Sequence, residues 1–431
     1  MQIAEVGAVY ASLLYLSLLL FLAAVLRYFL RRAGIPGLVA GLAAGMALAP
    51  ASLGGVLNGL FGASIFQLND YIRFLADFAV ILIIFAAGLE EGLAPLRSAG
   101  PLGVAGAALG ALSPFAAGYA MLSPSLGRDA ALYIGASLGA TSLAAASAIL
   151  LEQGVKGKGA RFLTAAAAMD DVVTFIILTA VNILIAAGRL SAAEIAYTIA
   201  VYSGAWVFIL FVSLAAVKLL GRGIREEYSY EFSLVVIFGL TAAMVVLGFS
   251  PIIAAFIAGV AVAEGLSKEN IKRLTDALLE VFGPVFFAVV GAESDLSGIG
   301  LSGLVMGLAL TAIAVLFKMI GIFPFAYLYT RDVKASAAIS LGMVPRGETG
   351  LAIASLGLEA GVLTSWEFTA LVLMGLLTTA IGAIAFSRAQ SWLRRPHSTP
   401  AGRGGLSASA HRSRRRGAGR VGGAPPPPLR A

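Results

Sequence analysis

The sequence predicts an all-α polytopic membrane protein with about 13 transmembrane helices, built as two inverted repeats with broken helices. Three observations predict it. The first is composition: 59% of the residues are hydrophobic and 12% charged, with a mean hydropathy of +0.93. A soluble domain needs roughly 25% charged residues to coat its surface. The second is that apolar stretches long enough to cross a bilayer, ~20 residues each, recur along most of the 431 residues. The third is a nine-residue motif that occurs twice, seven spans apart.

The predicted spans lie near 7–29, 34–50, 73–92, 98–123, 129–152, 159–187, 192–220, 227–248, 250–266, 273–295, 300–330, 335–361 and 364–387. The first is read as a span and not a cleaved leader, because Met1 to Gly7 carries Glu5 and no basic residue. The stretch from Ala51 to Asn69 is read as an outside loop. Lys and Arg set the orientation, since cytoplasmic loops collect them. With the N-terminus outside, fifteen basic residues fall in inside loops, among them Arg31, Arg32, Lys156, Lys158, Lys272 and Arg331. Only Arg73, Arg128 and Arg189 fall outside. The expectation is an integral protein of the cell membrane, N-terminus out and C-terminus cytoplasmic, with the lipid bilayer as its surroundings.

The repeated motif is G-x-T-x-L-A-x-A-S, as GATSLAAAS at 139–147 and GETGLAIAS at 347–355. An odd offset of seven spans makes the two copies cross in opposite directions, the arrangement of secondary transporters with midplane sites. A weaker echo is Gly88 to Glu90 in the third span and Gly291 to Glu293 in the tenth. Both copies carry helix breakers. Gly135 and Gly139 precede Thr141 and Ser142 in the fifth span, while Gly342, Pro345, Gly347 and Gly350 interrupt the twelfth. Proline removes a backbone donor, and glycine tolerates unusual dihedrals. Backbone freed inside a bilayer persists only where protein or a water-filled cavity satisfies it. Unwound carbonyls and half-helix ends suit a bare cation or its counter-charge.

Charges inside spans mark candidate sites. From Phe162 to Gly188 the only ones are Asp170 and Asp171, near the midplane of their span. Adjacent helical residues point about 100° apart, so the two carboxylates need a polar cavity or a partner. Two acids this close cannot both ionise cheaply and take up protons as a unit. A hard monovalent cation such as Na⁺ can replace those protons, which is the minimum requirement for exchange; a neutral pair that only locks helices is the other reading. Lys318 is the only charge between Gly300 and Thr330, and a buried ammonium needs an acid, for which an aspartate of the sixth span is the obvious partner. That bridge is either static or opens with ion binding. Arg346 and Glu348 lie in the break of the twelfth span; they either neutralise half-helix ends or offer Glu348 as an auxiliary carboxylate on the ion path. Glu90, Glu264, Glu293 and Asp295, near span ends, read as solvated.

Several function classes are set aside. The chain has no cysteine, hence no disulfide or thiolate site, and both histidines, His397 and His411, lie in the tail. No Ser, His and carboxylate converge, so no enzyme and no cofactor is expected. The tail from Arg388 to Ala431 holds ten Arg and no acid; it reads as a basic, disordered segment, and without it the +7 formal charge disappears. Nucleic acid is therefore not an expected partner.

The chain resembles monovalent cation:proton antiporters of the second such family, the Kef/NapA-like group, over about residues 7–387. The matching elements are Ile35-Pro36 with Gly45, Phe85 to Glu90, Asp170-Asp171, Pro251 with Gly259, Phe282 to Phe287, Lys318, and Pro345 to Gly350. The resemblance implies an elevator-type fold in which crossed broken helices form a core of spans 4–6 and 11–13. That core would slide against a homodimerising scaffold of spans 1–3 and 8–10, joined by the linker helix 192–220. By the same resemblance Asp171 binds the ion, Asp170 alternates between ion or proton and Lys318, and Thr141 lines the crossing beside Ser142. Two acids at this place imply electrogenic Na⁺ or Li⁺ exchange for protons. No Gly-rich nucleotide-binding pattern follows Arg388, which departs from the Kef branch. K⁺/H⁺ antiport and ion-coupled organic-solute symport stay open as alternatives.

Overall fold

The computed structural model describes residues 7–32, 35–62, 64–93, 100–142, 157–188, 192–221, 225–246, 250–265, 268–295 and 299–394. Fifteen α-helices lie among these residues, and no strand. They are α1 (Ala8–Arg32), α2 (Gly37–Leu48), α3 (Leu53–Phe61), α4 (Asp70–Glu91), α5 (Gly100–Leu126), α6 (Arg128–Gly139), α7 (Lys158–Ala187) and α8 (Ala192–Gly221). There follow α9 (Ser229–Val246), α10 (Pro251–Ala263), α11 (Lys268–Ala292), α12 (Gly300–Thr330), α13 (Val333–Gly342), α14 (Glu348–Glu359) and α15 (Ser365–Ala389). Six of them, α1, α4, α5, α7, α12 and α15, are each long and apolar enough to cross a membrane, and the α2–α3 pair, bent by 45°, passes as a seventh. The predicted thirteen exceed this number. The difference falls partly on short pieces: α10, which is 13 residues long, and α6, α13 and α14, whose predicted spans include interruptions.

Two boundaries differ from the sequence reading. Ala51 to Asn69 contains α3, closed by Gly62 in the left-handed conformation at φ 59°, where a glycine carries no Cβ penalty. The twelfth predicted span is interrupted where its glycines and proline predict, between α13 and α14. The tail predicted from Arg388 begins later: α15 runs to Ala389 and a 3₁₀ turn continues to Arg394. Leu393 in that turn is buried, and a Cβ on Gly159 would stand 2.8 Å from its Cδ2, so apolar packing extends the ordered chain. Residues 143–152 of the fifth predicted span and the Arg-rich segment from Arg395 onward lie outside the described residues.

Helix ends follow local chemistry. Asn69 accepts from the Ile72 N–H at the start of α4. Asp332 accepts from the Lys334 and Ala335 N–H groups to start α13. Thr364 and Glu367 form a reciprocal capping box on α15, satisfying donors that have no intrahelical partner. Outward-facing residues such as Phe21, Phe208, Phe211, Leu219, Leu301 and Ile320 are exposed, an apolar surface suited to hydrocarbon rather than water.

Packing sorts the helices into two sets. One holds α1, α2, α4, α9, α10 and α11; the other holds α5, α6, α7, α12, α13, α14 and α15. Helix α8 packs on α10 of the first set and α7 of the second. The first set is knitted by two glycine-mediated crossings. A Cβ on Gly45 of α2 would lie 2.0 Å from the Ala288 carbonyl oxygen, and one on Gly291 of α11 2.3 Å from that of Leu42. A Cβ on Gly259 of α10 would lie 2.2 Å from the Phe85 oxygen, and one on Gly88 of α4 2.4 Å from that of Phe256. The seven-span offset maps α2 onto α10 and α4 onto α11. The same backbone-on-backbone contact is thus made twice, each time between one repeat and the other, and gives the Gly88/Gly291 echo in the sequence its physical cause.

Substituting Gly259→Leu or Gly291→Leu is expected to lower stability by at least about 3 kcal/mol, the upper range for overpacking. Gly239→Ala on α9, where a Cβ meets nothing within 4 Å, is expected to be close to neutral. Thermal unfolding in detergent measures both; an unaltered transition in Gly259→Leu would contradict this packing.

Candidate functional site

The site is built on two interruptions. Helix α6 stops at Gly139, and the chain continues extended from Ala140, at φ −62° and ψ 153°. Helix α13 stops at Gly342, and Met343 to Gly347 lead to α14. The two interruptions meet. The Ser142 N–H donates to the Pro345 oxygen at 2.9 Å, and Thr141 Oγ1 donates to the Met343 oxygen at 3.3 Å. Ser142 Oγ donates to Glu348 Oε2 at 3.3 Å, and Ser137 Oγ to the Gly350 oxygen at 2.8 Å. A Cβ on Gly347 would stand 2.5 Å from Ser142 Oγ, so this approach admits only glycine.

Two buried cations serve the carbonyls at the end of α6. Lys318 Nζ on α12 donates to the Gly139 oxygen at 2.7 Å. Arg346, 1% exposed, donates from Nη1 to the Ala140 oxygen and, at 3.4 Å each, to the Gly139 oxygen and Thr141 Oγ1. Its Nη2 reaches the Ala314 oxygen at 3.1 Å, while Thr379 Oγ1 donates to the Arg346 carbonyl. Positive groups therefore sit at the negative end of α6, and Glu348 occupies the first turn of α14, its positive end, the favourable sense at each terminus.

Asp170 and Asp171 lie midway along α7, 0% and 1% exposed. Lys318, 0% exposed, donates to Asp170 Oδ1 at 2.6 Å. One ammonium thus joins the aspartate pair to the end of α6. Asp170 Oδ2 has no hydrogen-bond partner among the described residues, and neither does the buried hydroxyl of Thr174 one turn further on. The arrangement offers hard oxygen atoms in a buried place and a cation that can be exchanged for another cation, which is the chemistry of competitive binding.

Asp170, Asp171, Lys318, Thr141, Ser142, Gly139, Pro345, Arg346, Gly347 and Glu348, all singled out in the sequence, gather at the meeting of α6, α7, α12 and the α13–α14 break. Three acids were not anticipated together. Asp77 of α4, Glu293 after α11 and Glu359 of α14 line a cavity of about 160 Å³ with Pro251 and Ser355. Glu293, read from sequence as solvated, is half-buried, whereas Glu90 and Glu264 are exposed as expected. Asp77 falls inside the third predicted span, so the criterion of a charge within a span would have found it.

Crossed, interrupted helices around a buried acid–ammonium pair define a secondary ion transporter. Residues 17–391 match the sodium/hydrogen exchanger transmembrane family, and the chain belongs to it: an integral membrane antiporter of monovalent cations and protons, from a family of transporters and not enzymes. Among curated relatives, the Na⁺/H⁺-K⁺ antiporter GerN of Bacillus cereus is 30% identical over 354 residues, covering 81% of this chain and 89% of that one. The high-affinity Na⁺/H⁺ antiporter NhaS3 of Synechocystis sp. is 29% identical over 339 residues, covering 76% and 71%. The fold is similar to that of the sodium proton antiporter MjNhaP1 of Methanocaldococcus jannaschii, with a TM-score of 0.67 and 18% identity across 88% of this chain and 95% of that one.

Arg346→Met is expected to destabilise the protein by about 3 kcal/mol or more, because it strands buried carbonyls. Arg346→Lys is expected to recover less than half of that, since an ammonium lacks the planar fork. Denaturation of the purified protein gives both values.

Proposed function

We propose that the protein exchanges Na⁺ or Li⁺ for protons at Asp170 and Asp171, with Lys318 as a participating charge and a net movement of charge per cycle. The observation that carries this reading is the buried Lys318–Asp170 bridge of 2.6 Å beside Asp171. In the proton-loaded form Asp171 carries a proton, and Lys318 is an ammonium bridged to Asp170. A cation entering the pair takes both carboxylates as ligands and displaces the ammonium, which leaves as the amine after losing its proton. Two protons are then exchanged for one monovalent cation, so one charge moves per turnover. Outside acidity drives protons inward and the cation outward.

The two packed helix sets support an elevator-like step. The set bearing the site touches the other through α14 on α4, α15 on α2 and α14 on α11, and by the Phe175–Phe256 ring contact at 4.9 Å. The first set would be the homodimer scaffold, and α8 the linker. The sense of insertion follows the basic-residue bias, with the N-terminus outside in the cell membrane. Family membership favours antiport over organic-solute symport. K⁺ is the second cation to test, because GerN at 30% identity is named for K⁺ as well as Na⁺.

The test is a pH-jump assay in proteoliposomes with an internal pH dye, adding Na⁺, Li⁺, K⁺ or choline. Na⁺ and Li⁺ are expected to release protons, choline is not, and Asp171→Asn is expected to abolish the response. Lys318→Ala is expected to remove the dependence of transport on membrane voltage while cation binding survives. A full voltage-driven cycle in Lys318→Ala would exclude the lysine as a participant, and a K⁺-only response would replace Na⁺ by K⁺.

A further inference from the structure

Threonines inside helices usually turn their hydroxyl back onto the carbonyl four residues earlier. This protein follows that habit widely. Thr164, Thr179, Thr311, Thr330, Thr369 and Thr378 all donate to their i−4 carbonyls, at 2.7 to 3.1 Å. Thr174 sits in the middle of α7 between two of these residues, is 0% exposed, and its Oγ1 has no hydrogen-bond partner among the described residues. Its i−4 residue is Asp170. A buried hydroxyl without a bond costs about 1–3 kcal/mol, so its persistence here calls for an occupant.

Helical geometry says where that hydroxyl lies. At about 100° per residue, Asp170 and Asp171 point 100° apart and Thr174 falls between them, about 40° from the first and 60° from the second. It is one turn along, about 6 Å and 4.5 Å in rise. Side chains on a helix lean toward its N-terminus, so Thr174 leans back over the turn that carries the two aspartates. The second unpartnered oxygen at this place is Asp170 Oδ2, because Oδ1 is held by Lys318.

We infer that Thr174 supplies a neutral oxygen ligand to the transported cation, completing with Asp170 and Asp171 a three-residue face of α7, and that it sets affinity for the alkali cation. Its hydroxyl can present a lone pair to a cation while its hydrogen turns to Asp170 Oδ2. The inference rests on the proposed exchange at the aspartate pair. A neutral ligand adds no titratable group, so Thr174 acts on cation affinity and leaves the proton count unchanged.

The test compares Thr174→Val, which keeps the β-branched shape, with Thr174→Ser, which keeps the hydroxyl. For Thr174→Val the expected result is a rise of about tenfold in the half-saturating Na⁺ and Li⁺ concentrations, the size of one lost oxygen contact to a charged group. The maximal rate at saturating Na⁺ stays within twofold, and Thr174→Ser restores the wild-type half-saturation. Stabilisation of purified protein by added Na⁺, read as a melting shift, is expected to weaken in Thr174→Val while the ion-free melting temperature holds. Unaltered Na⁺ half-saturation in Thr174→Val overturns the inference, as does an equal fall in ion-free stability and maximal rate in both variants, which would make Thr174 a packing residue. If wild-type protein shows no Na⁺ response and Asp171→Asn changes nothing, the exchange reading itself fails, and this ligand with it.

Discussion

Breaking a helix inside hydrocarbon frees backbone groups that neither water nor lipid can satisfy, and each one left bare costs several kcal/mol. Here the chain breaks twice, after Gly139 and after Gly342, and the consequences run through the whole site. The freed Gly139 and Ala140 carbonyls are met by Lys318 and Arg346. Each of these cations is buried and needs an opposite charge or a dense set of dipoles. Arg346 finds dipoles, since it bonds four oxygens, three at residues 139–141 and one at Ala314 of α12. Lys318 has one carbonyl and one carboxylate, Asp170. The acid at midplane therefore answers a need created by the break, and the two are parts of one arrangement.

Glycine crossings hold helices together within both sets: besides those of the first set, a Cβ on Gly321 of α12 would lie 2.3 Å from the Leu109 carbonyl oxygen of α5. Where α2 meets α11 and α4 meets α10, backbones approach so closely that no side chain intervenes. Close packing of small residues is how membrane helices associate without a hydrophobic drive. Contacts between the two helix sets instead run through side chains such as Phe175 and Phe256, and around the cavity lined by Asp77, Glu293 and Glu359. Close backbone pairing within each set, and a side-chain boundary between the sets, is the arrangement that the proposed elevator step would use.

Legibility from sequence followed chemistry. Asp170, Asp171 and Lys318 were readable because a charge within an apolar run has one inexpensive explanation, a partner or a ligand. The breaks were readable because Gly and Pro punctuate a pattern otherwise helical. The repeat was readable from nine residues, although residues 143–147 lie outside the described part. Less legible were features fixed only in three dimensions. Sequence could not say that Arg346 bonds the end of α6 while Glu348 takes the start of α14, nor that Asp77 and Glu359, 282 positions apart in the numbering, line one cavity. Thr174 was hidden differently. Its type and position were visible, but the signal is a bond it does not make, and that requires coordinates. Helix boundaries at α3 and after Arg388 moved because packing by residues such as Leu393 overrides polar composition.

The double duty of Lys318 couples occupancy to the crossing itself. Its ammonium holds both Asp170 Oδ1 and the Gly139 oxygen, at 2.6 Å and 2.7 Å. Under the proposed cycle, an entering cation displaces this ammonium from Asp170, and the end of α6 loses part of its neutralisation in the same event. Arg346 still holds Ala140 and, more weakly, Gly139, so the crossing is loosened without being released. The cation restores positive charge near the negative end of α6, whereas an empty, doubly ionised site would leave it uncompensated. Under that cycle the proton-loaded site is neutral and the cation-loaded site carries one negative charge, whereas the empty site with a neutral Lys318 carries two, so the empty form is the one most penalised in transit. That asymmetry is what an exchanger needs, because only loaded carriers should cross.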